Sequence, residues 1–169
     1  PCDFMEAEVI SGDAGKEDTL APWRQSVDCV VTSPPYATAL PYIDTDRLSL
    51  LTVLGLPSRE RGDLEQRLAG SREIRDTERR ALEAVIASSA ADDAVGSPAA
   101  MRIVRRVLER NSSAEVGFRR RNMGALLFRY FRDMRTVMGN VGRAVKPGAN
   151  LFFVIGDNKT DAGGEVVSI

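Results

Sequence analysis

The stretch "SVDCVVTSPPY" (residues 26–36) decides the fold. Val27, Cys29, Val30 and Val31 form a short, nearly unbroken apolar run, the pattern of a strand covered on both faces by helices. The run ends in Thr32 and Ser33, then two consecutive prolines and Tyr36. Pro34 and Pro35 have no N–H, so the exit turn offers backbone carbonyls and a fixed path. Ser33 adds a hydroxyl that can accept a hydrogen bond, and Tyr36 a ring that can stack. Ligands of open α/β sheets bind at the carboxyl ends of strands, which is where residues 33–36 fall. The chemical complement of bare carbonyls, a hydroxyl and a flat ring is a planar ring carrying an amino group. The plainer reading is a rigid strand exit with a packing tyrosine.

Outward from this stretch, "AEVISGDA" (residues 7–14) reads as an earlier strand ending in a Gly-Asp turn. A polar loop with a short helix joins the two. Downstream, Leu126, Leu127, Tyr130, Phe131, Met134, Val137, Val141 and Val145 recur at helical spacing. They predict one amphipathic helix, which Pro147 and Gly148 stop. "NLFFVIGDN" (150–158) then reads as a third buried strand, with Gly156, Asp157 and Asn158 at the same sheet edge as Tyr36. Strand, strand, helix, strand is the order of a doubly wound α/β sheet. The middle is rich in Arg, Glu and Ala. A helix is predicted within residues 75–90, a linker over 88–98, and a further helix from the Ser97-Pro98 cap through Glu109. The expected organisation is an α/β core from residues 1–47 and 123–169, interrupted after the second strand by a helical insertion, 48–122, that is a candidate for substrate recognition.

The chain has 169 residues, 43% apolar and 28% charged, enough for one domain with a core. Its net charge of -1 gives no global basic field. All but Lys16, Lys146 and Lys159 of its 23 basic residues are arginine, whose planar fork suits phosphate. A biased genome composition would give the same excess. Arg119, Arg120 and Arg121 are candidate phosphate contacts, with a solvated surface as the alternative. The absence of histidine removes imidazole bases, Ser-His triads and most zinc sites, so no metal is expected. Cys2 and Cys29 lack metal or disulfide spacing, and Cys29 is expected to be a small buried apolar residue. No apolar run approaches the ~20 residues of a membrane span and no signal peptide is visible, so a cytoplasmic protein without a membrane partner is expected. Asp44, Asp46 and Arg47, in "PYIDTDR" (41–47), read as a solvated helix start or as part of a substrate loop.

An amine whose hydrogens are held off the plane of its ring has a lone pair less conjugated with that ring. Such a nitrogen can attack an electrophilic methyl group without histidine, metal or covalent intermediate. "TSPPY" after an apolar strand resembles the catalytic motif of the amino-group (N4-cytosine/N6-adenine type) DNA methyltransferases, which carry Asp, Asn or Ser before Pro-Pro and an aromatic residue. "GDA" (12–14) and "KPGANLFFVIGDN" (146–158) extend the resemblance over the two ends of the chain.

The resemblance implies a partial Rossmann-like methyltransferase sheet, S-adenosyl-L-methionine as cofactor, and a restriction-modification setting. It implies that Ser33, Pro34, Pro35 and Tyr36 contact a flipped base in DNA. Asp13, with Ala14 and Ser33, would contact the cofactor. Serine before the prolines favours cytosine N4 over adenine N6. The family's glycine-rich motif, of the Asp-Pro-Phe-x-Gly-x-Gly kind, does not occur in these residues. Together with the initial Pro1, its absence marks a piece of a longer polypeptide, with a missing N-terminal part favoured. Such a piece is expected to be inactive alone and to self-associate through an open sheet edge. Two other readings remain. One is an RNA guanine-N2 methyltransferase similar to the THUMP-domain tRNA enzymes, which usually carry Asp in the first motif position. The other is a noncatalytic nucleic-acid-binding or scaffold module.

Overall fold

The computed structural model describes residues 7–37, 47–113 and 115–169, a mixed α/β chain. A one-turn helix α1 (Glu17–Leu20) and a 3-10 turn (Ala21–Trp23) lead into β1 (Val27–Thr32). Helices α2 (Arg47–Thr52), α3 (Ser58–Arg67), α4 (Asp76–Ile86), α5 (Ala90–Val95), α6 (Pro98–Ser113), α7 (Phe118–Arg121) and α8 (Met123–Ala144) follow. The chain ends with β2 (Val145–Phe153), β3 (Lys159–Ala162) and β4 (Glu165–Ser168).

β1 and β2 pair in parallel, with Cys29 opposite Asn150 and Val31 opposite Phe152. Parallel strands need a long crossover, and α8 completes it by running back beside them. Its end is tied to the start of β1, where the Gln25 and Ser26 N–H groups donate to the Arg143 and Ala144 carbonyls at 3.1 and 3.0 Å. The Val154 N–H donates to the Thr32 carbonyl at 2.9 Å, extending the pairing to the far end of β1. The second sheet is the β3–β4 hairpin. Gly163 and Gly164 turn it with φ of +58° and +87°, which suits a two-residue hairpin loop.

The core is helical. Met101, Val104 and Val107 repeat along one stripe of α6 and face Ala125, Leu127 and Phe128 of α8. Leu82 and Ile86 of α4, Ala91 and Val95 of α5, and Ala162 and Val167 of the hairpin close the same cluster. Residues of the insertion and of the final segment therefore share one core. Helices α6 and α8 approach so closely at Gly124 that a Cβ there would sit 2.9 Å from the Leu108 Cβ.

Several expectations need correction. Residues 7–13 form no strand and are exposed (Val9 at 95%), because β1 pairs with β2 and no described backbone pairs with this segment. β1 is not covered on both faces: Cys29, Val31 at 72% and Phe152 lie on an open face, so Cys29 is exposed rather than buried. The last parallel strand begins earlier than expected, at Val145, and ends at Phe153. Lys146, Pro147 and Gly148 do follow the helix, yet they already belong to β2. The expected linker over 88–98 contains α5, because Ala91 and Val95, one turn apart, are buried in the core, and Gly96 stops the helix at φ +68°. Helix α6 runs past Glu109 to Ser113. Cys2, Asp44 and Asp46 lie outside the described residues. Among the described residues no helix is long and apolar enough to cross a membrane.

Candidate functional site

Residues 33–37 continue β1 at its carboxyl end. Two prolines leave this turn short of its own donors, and three neighbouring elements hold it instead. The Ser33 hydroxyl donates to the Val154 carbonyl at 3.1 Å. A carbonyl has no proton to give, so Ser33 is the donor and its oxygen lone pairs remain available. The Tyr130 hydroxyl of α8 donates to the Pro35 carbonyl at 2.9 Å. The Asn158 side-chain amide, just past β2, donates to the Ala37 carbonyl. The Pro34 carbonyl accepts no hydrogen bond among the described residues.

The Tyr36 ring lies against Gly156, where a Cβ would stand 3.4 Å from the ring edge. On the other side the α3–α4 loop brings Gly70, at φ +80°, against the turn. A Cβ there would be 3.1 Å from the Tyr36 carbonyl and 3.4 Å from the Pro35 Cβ. That loop is itself pinned by Arg129, only 5% exposed, which donates to the Ser71 and Glu73 carbonyls at 3.0 and 2.9 Å and pairs with Glu78 at 3.1 Å. Burial pushes the Tyr130 phenol above its ordinary value, so at neutral pH it holds its proton and acts as a donor.

Asp13 and Ala14 sit elsewhere. Asp13 closes a local turn, accepting from the Gly15 N–H at its side chain (2.8 Å) and from the Lys16 N–H at its carbonyl (2.9 Å). The Ala14 carbonyl accepts from the Asn140 side chain at 2.8 Å. Asn140 follows Tyr130 by ten residues on α8, about 15 Å along the helix axis. The Asp13 turn is thus at the end of α8 where β1 begins, and Ser33 is at the opposite end. Asp13 and Ala14 therefore lie near the start of β1 and Ser33 at its end, so the three residues expected to hold S-adenosyl-L-methionine are spread along the strand rather than side by side.

Arg119, Arg120 and Arg121 form α7, immediately before α8 and towards the end that holds Pro35. Arg120 pairs with Asp161 of β3 at 3.6 Å, and its carbonyl accepts from the Asn111 side chain at 2.7 Å. Arg121 lines an open cleft of about 410 Å³ with Arg79, Glu83, Leu108, Asn111 and Ser112. Arg79 is already held by Asp76 and Glu83 at 2.6 and 2.7 Å. Arg119 and Arg121 make no ion pair among the described residues. No group of three or more metal-ligating side chains occurs among the described residues.

The structure therefore gathers Ser33, Pro34, Pro35 and Tyr36 into a braced turn, sets the arginines of α7 just before the helix that carries Tyr130, and leaves Asp13 and Ala14 apart. Sequence reasoning missed Tyr130, Arg129 and Gly70 as its supports. A tyrosine and an arginine inside an apolar helical stripe are the available signal, since buried polar ends need partners. Compared with protein-family models, curated proteins and solved structures, the chain matches none of them.

Proposed function

We propose that the Ser33–Tyr36 turn binds the exocyclic amine of a nucleic-acid base, and that the chain is the base-binding part of an amino-group DNA methyltransferase, with cytosine N4 favoured over adenine N6. The observation that carries this reading is the state of Ser33. Its proton is committed to the Val154 carbonyl, so the exposed hydroxyl presents lone pairs, followed in the chain by Pro34, a buried residue whose carbonyl has no partner among the described residues. Two acceptors beside an aromatic ring match the two N–H bonds of an amino group on a flat base. The β1–α8–β2 unit is the kind of parallel crossover from which a doubly wound, Rossmann-like sheet is built, and the turn stands at its carboxyl end. Arg119 and Arg121, which make no ion pair among the described residues, supply cations for the DNA backbone. S-adenosyl-L-methionine would supply the methyl group. The separation of Asp13 from Ser33 leaves its binding to residues other than that pair.

Stacking brings a base ring within reach of a photochemical bond. Irradiation of duplexes carrying 5-iodocytosine or 8-bromoadenine, followed by peptide mapping, tests the reading. The expected result is an adduct on Tyr36, with 5-iodocytosine the better substrate. Adducts confined to other residues would overturn it.

A further inference from the structure

We propose that Tyr130 is the positioning residue of this turn: its hydroxyl, 2.9 Å from the Pro35 carbonyl, fixes the plane of the Pro35–Tyr36 peptide and so aims both the Tyr36 ring and the Pro34 carbonyl. The inference rests on the base-amine reading of residues 33–36. A peptide unit is planar, so fixing the direction of its carbonyl fixes the N–H and the Cα of the next residue. Most strand exits secure their carbonyls through neighbouring backbone donors. A Pro-Pro pair lacks two of these, so a donor from outside the turn must replace them.

Tyr130 lies 95 residues away in sequence and is buried in the wall of the helical core. Its ring is held edge-on to Phe131, with centroids 5.4 Å apart, so the hydroxyl is delivered by a rigid group rather than by a mobile side chain. The next carbonyl along, that of Tyr36, packs close against Gly70, where a Cβ would stand 3.1 Å from it. Rotating the Pro35–Tyr36 peptide would break the Tyr130 bond and move the Tyr36 ring from its place over Gly156. The positions of acceptor and ring are thereby coupled to α8.

Tyr130→Phe keeps the ring and deletes only the donor. In protein labelled with carbonyl-13C proline, loss of the bond is expected to shift the Pro35 carbonyl resonance upfield, with a smaller change at Pro34, and to leave the prolines outside the turn unmoved. The yield of the Tyr36 adduct with 5-iodocytosine duplex should fall about tenfold, the worth of one hydrogen bond near the upper end of the usual range. Duplex affinity, set by phosphate contacts, should stay within about twofold. A role in packing alone would leave both the Pro35 resonance and the adduct yield unchanged, and that result overturns the proposal. If the wild-type protein forms no Tyr36 adduct, the base-amine reading fails. The Pro35 resonance then still decides whether Tyr130 sets the turn.

Discussion

Phe128 and Phe152 carry the same side chain into opposite settings. Phe128, on α8, is fully enclosed by the helical cluster, whereas Phe152, on β2, is 54% exposed beside Val31 on the open face of the strand pair. Cohesion lies in the helices, and the Ser33–Tyr36 turn hangs from a two-stranded sheet with little core of its own. A parallel pair this small is marginal by itself. Residues 33–37 are held by the bonds that Tyr130 and Asn158 donate to them and the one that Ser33 donates to Val154, together with the close approach of Gly70. The braced turn is rigid because it borrows stability from a core to which its own strand contributes little.

The largest expected effect separates the two phenylalanines directly. Phe128→Ala should cost ~3–5 kcal/mol in denaturant unfolding through lost burial and the cavity left behind. Phe152→Ala should stay within about 0.5 kcal/mol, as for other surface changes. Equal losses would show that the open face is covered in solution and would break the contrast. Tyr36 comes next. Stacking needs the ring face, worth ~1–3 kcal/mol per base, so Tyr36→Ala should abolish preferential binding of an unstacked base while Tyr36→Phe keeps most of it. Replacing Arg119, Arg120 and Arg121 together by Ala should reduce the slope of log affinity for DNA against log salt by about 2, since Arg120 is already paired with Asp161. An unchanged slope would return α7 to ordinary surface.

The smallest effect concerns acid. Hydrogen bonds from Arg110 and then Arg106 hold the Glu165 carboxyl below its ordinary value, and a bond from Arg79 does the same for Asp76. A carboxylate depressed in the folded state contributes its stability above the unfolded value of about 4 and loses it as pH falls through the lower, folded value. Both carboxylates are exposed to solvent, so salt should screen the contribution. Comparing Glu165→Gln with wild type across pH 2–6 should show a small difference that closes at the acid end and shrinks in high salt.

The sequence made β1 and α8 legible because each carries a sustained pattern: an apolar run for the strand, and a helical stripe from Leu126 to Val141. The Gly163-Gly164 hairpin escaped because each of its strands has four residues and "KTDA" (159–162) is largely polar. Helix α5 escaped because "AADDAV" (90–95) has only Ala91 and Val95 to mark its buried side, too short a stripe to show a period. The strand expected over 7–14 failed for a different reason. A strand exists by pairing, and composition cannot say whether a neighbouring backbone is there. The same limit applies to Cys29, whose burial depends on what covers its face. At the site, the end-of-strand position of Ser33 and Tyr36 could be read from the chain, but Tyr130 could not, since its contact with Pro35 is a product of the fold.

The claim at the centre is that residues 33–36 recognise an amino group. Binding to a mismatched duplex with cytosine in the unpaired position should be compared with binding when 2-pyrimidinone, the same ring without its N4 amine, replaces it. Two lost hydrogen bonds at ~0.5–1.5 kcal/mol each should weaken binding by about fivefold to over a hundredfold, and Ser33→Ala should remove much of that difference. Equal affinity for the two bases in the wild-type protein would contradict the claim and leave Ser33–Tyr36 as a strand exit.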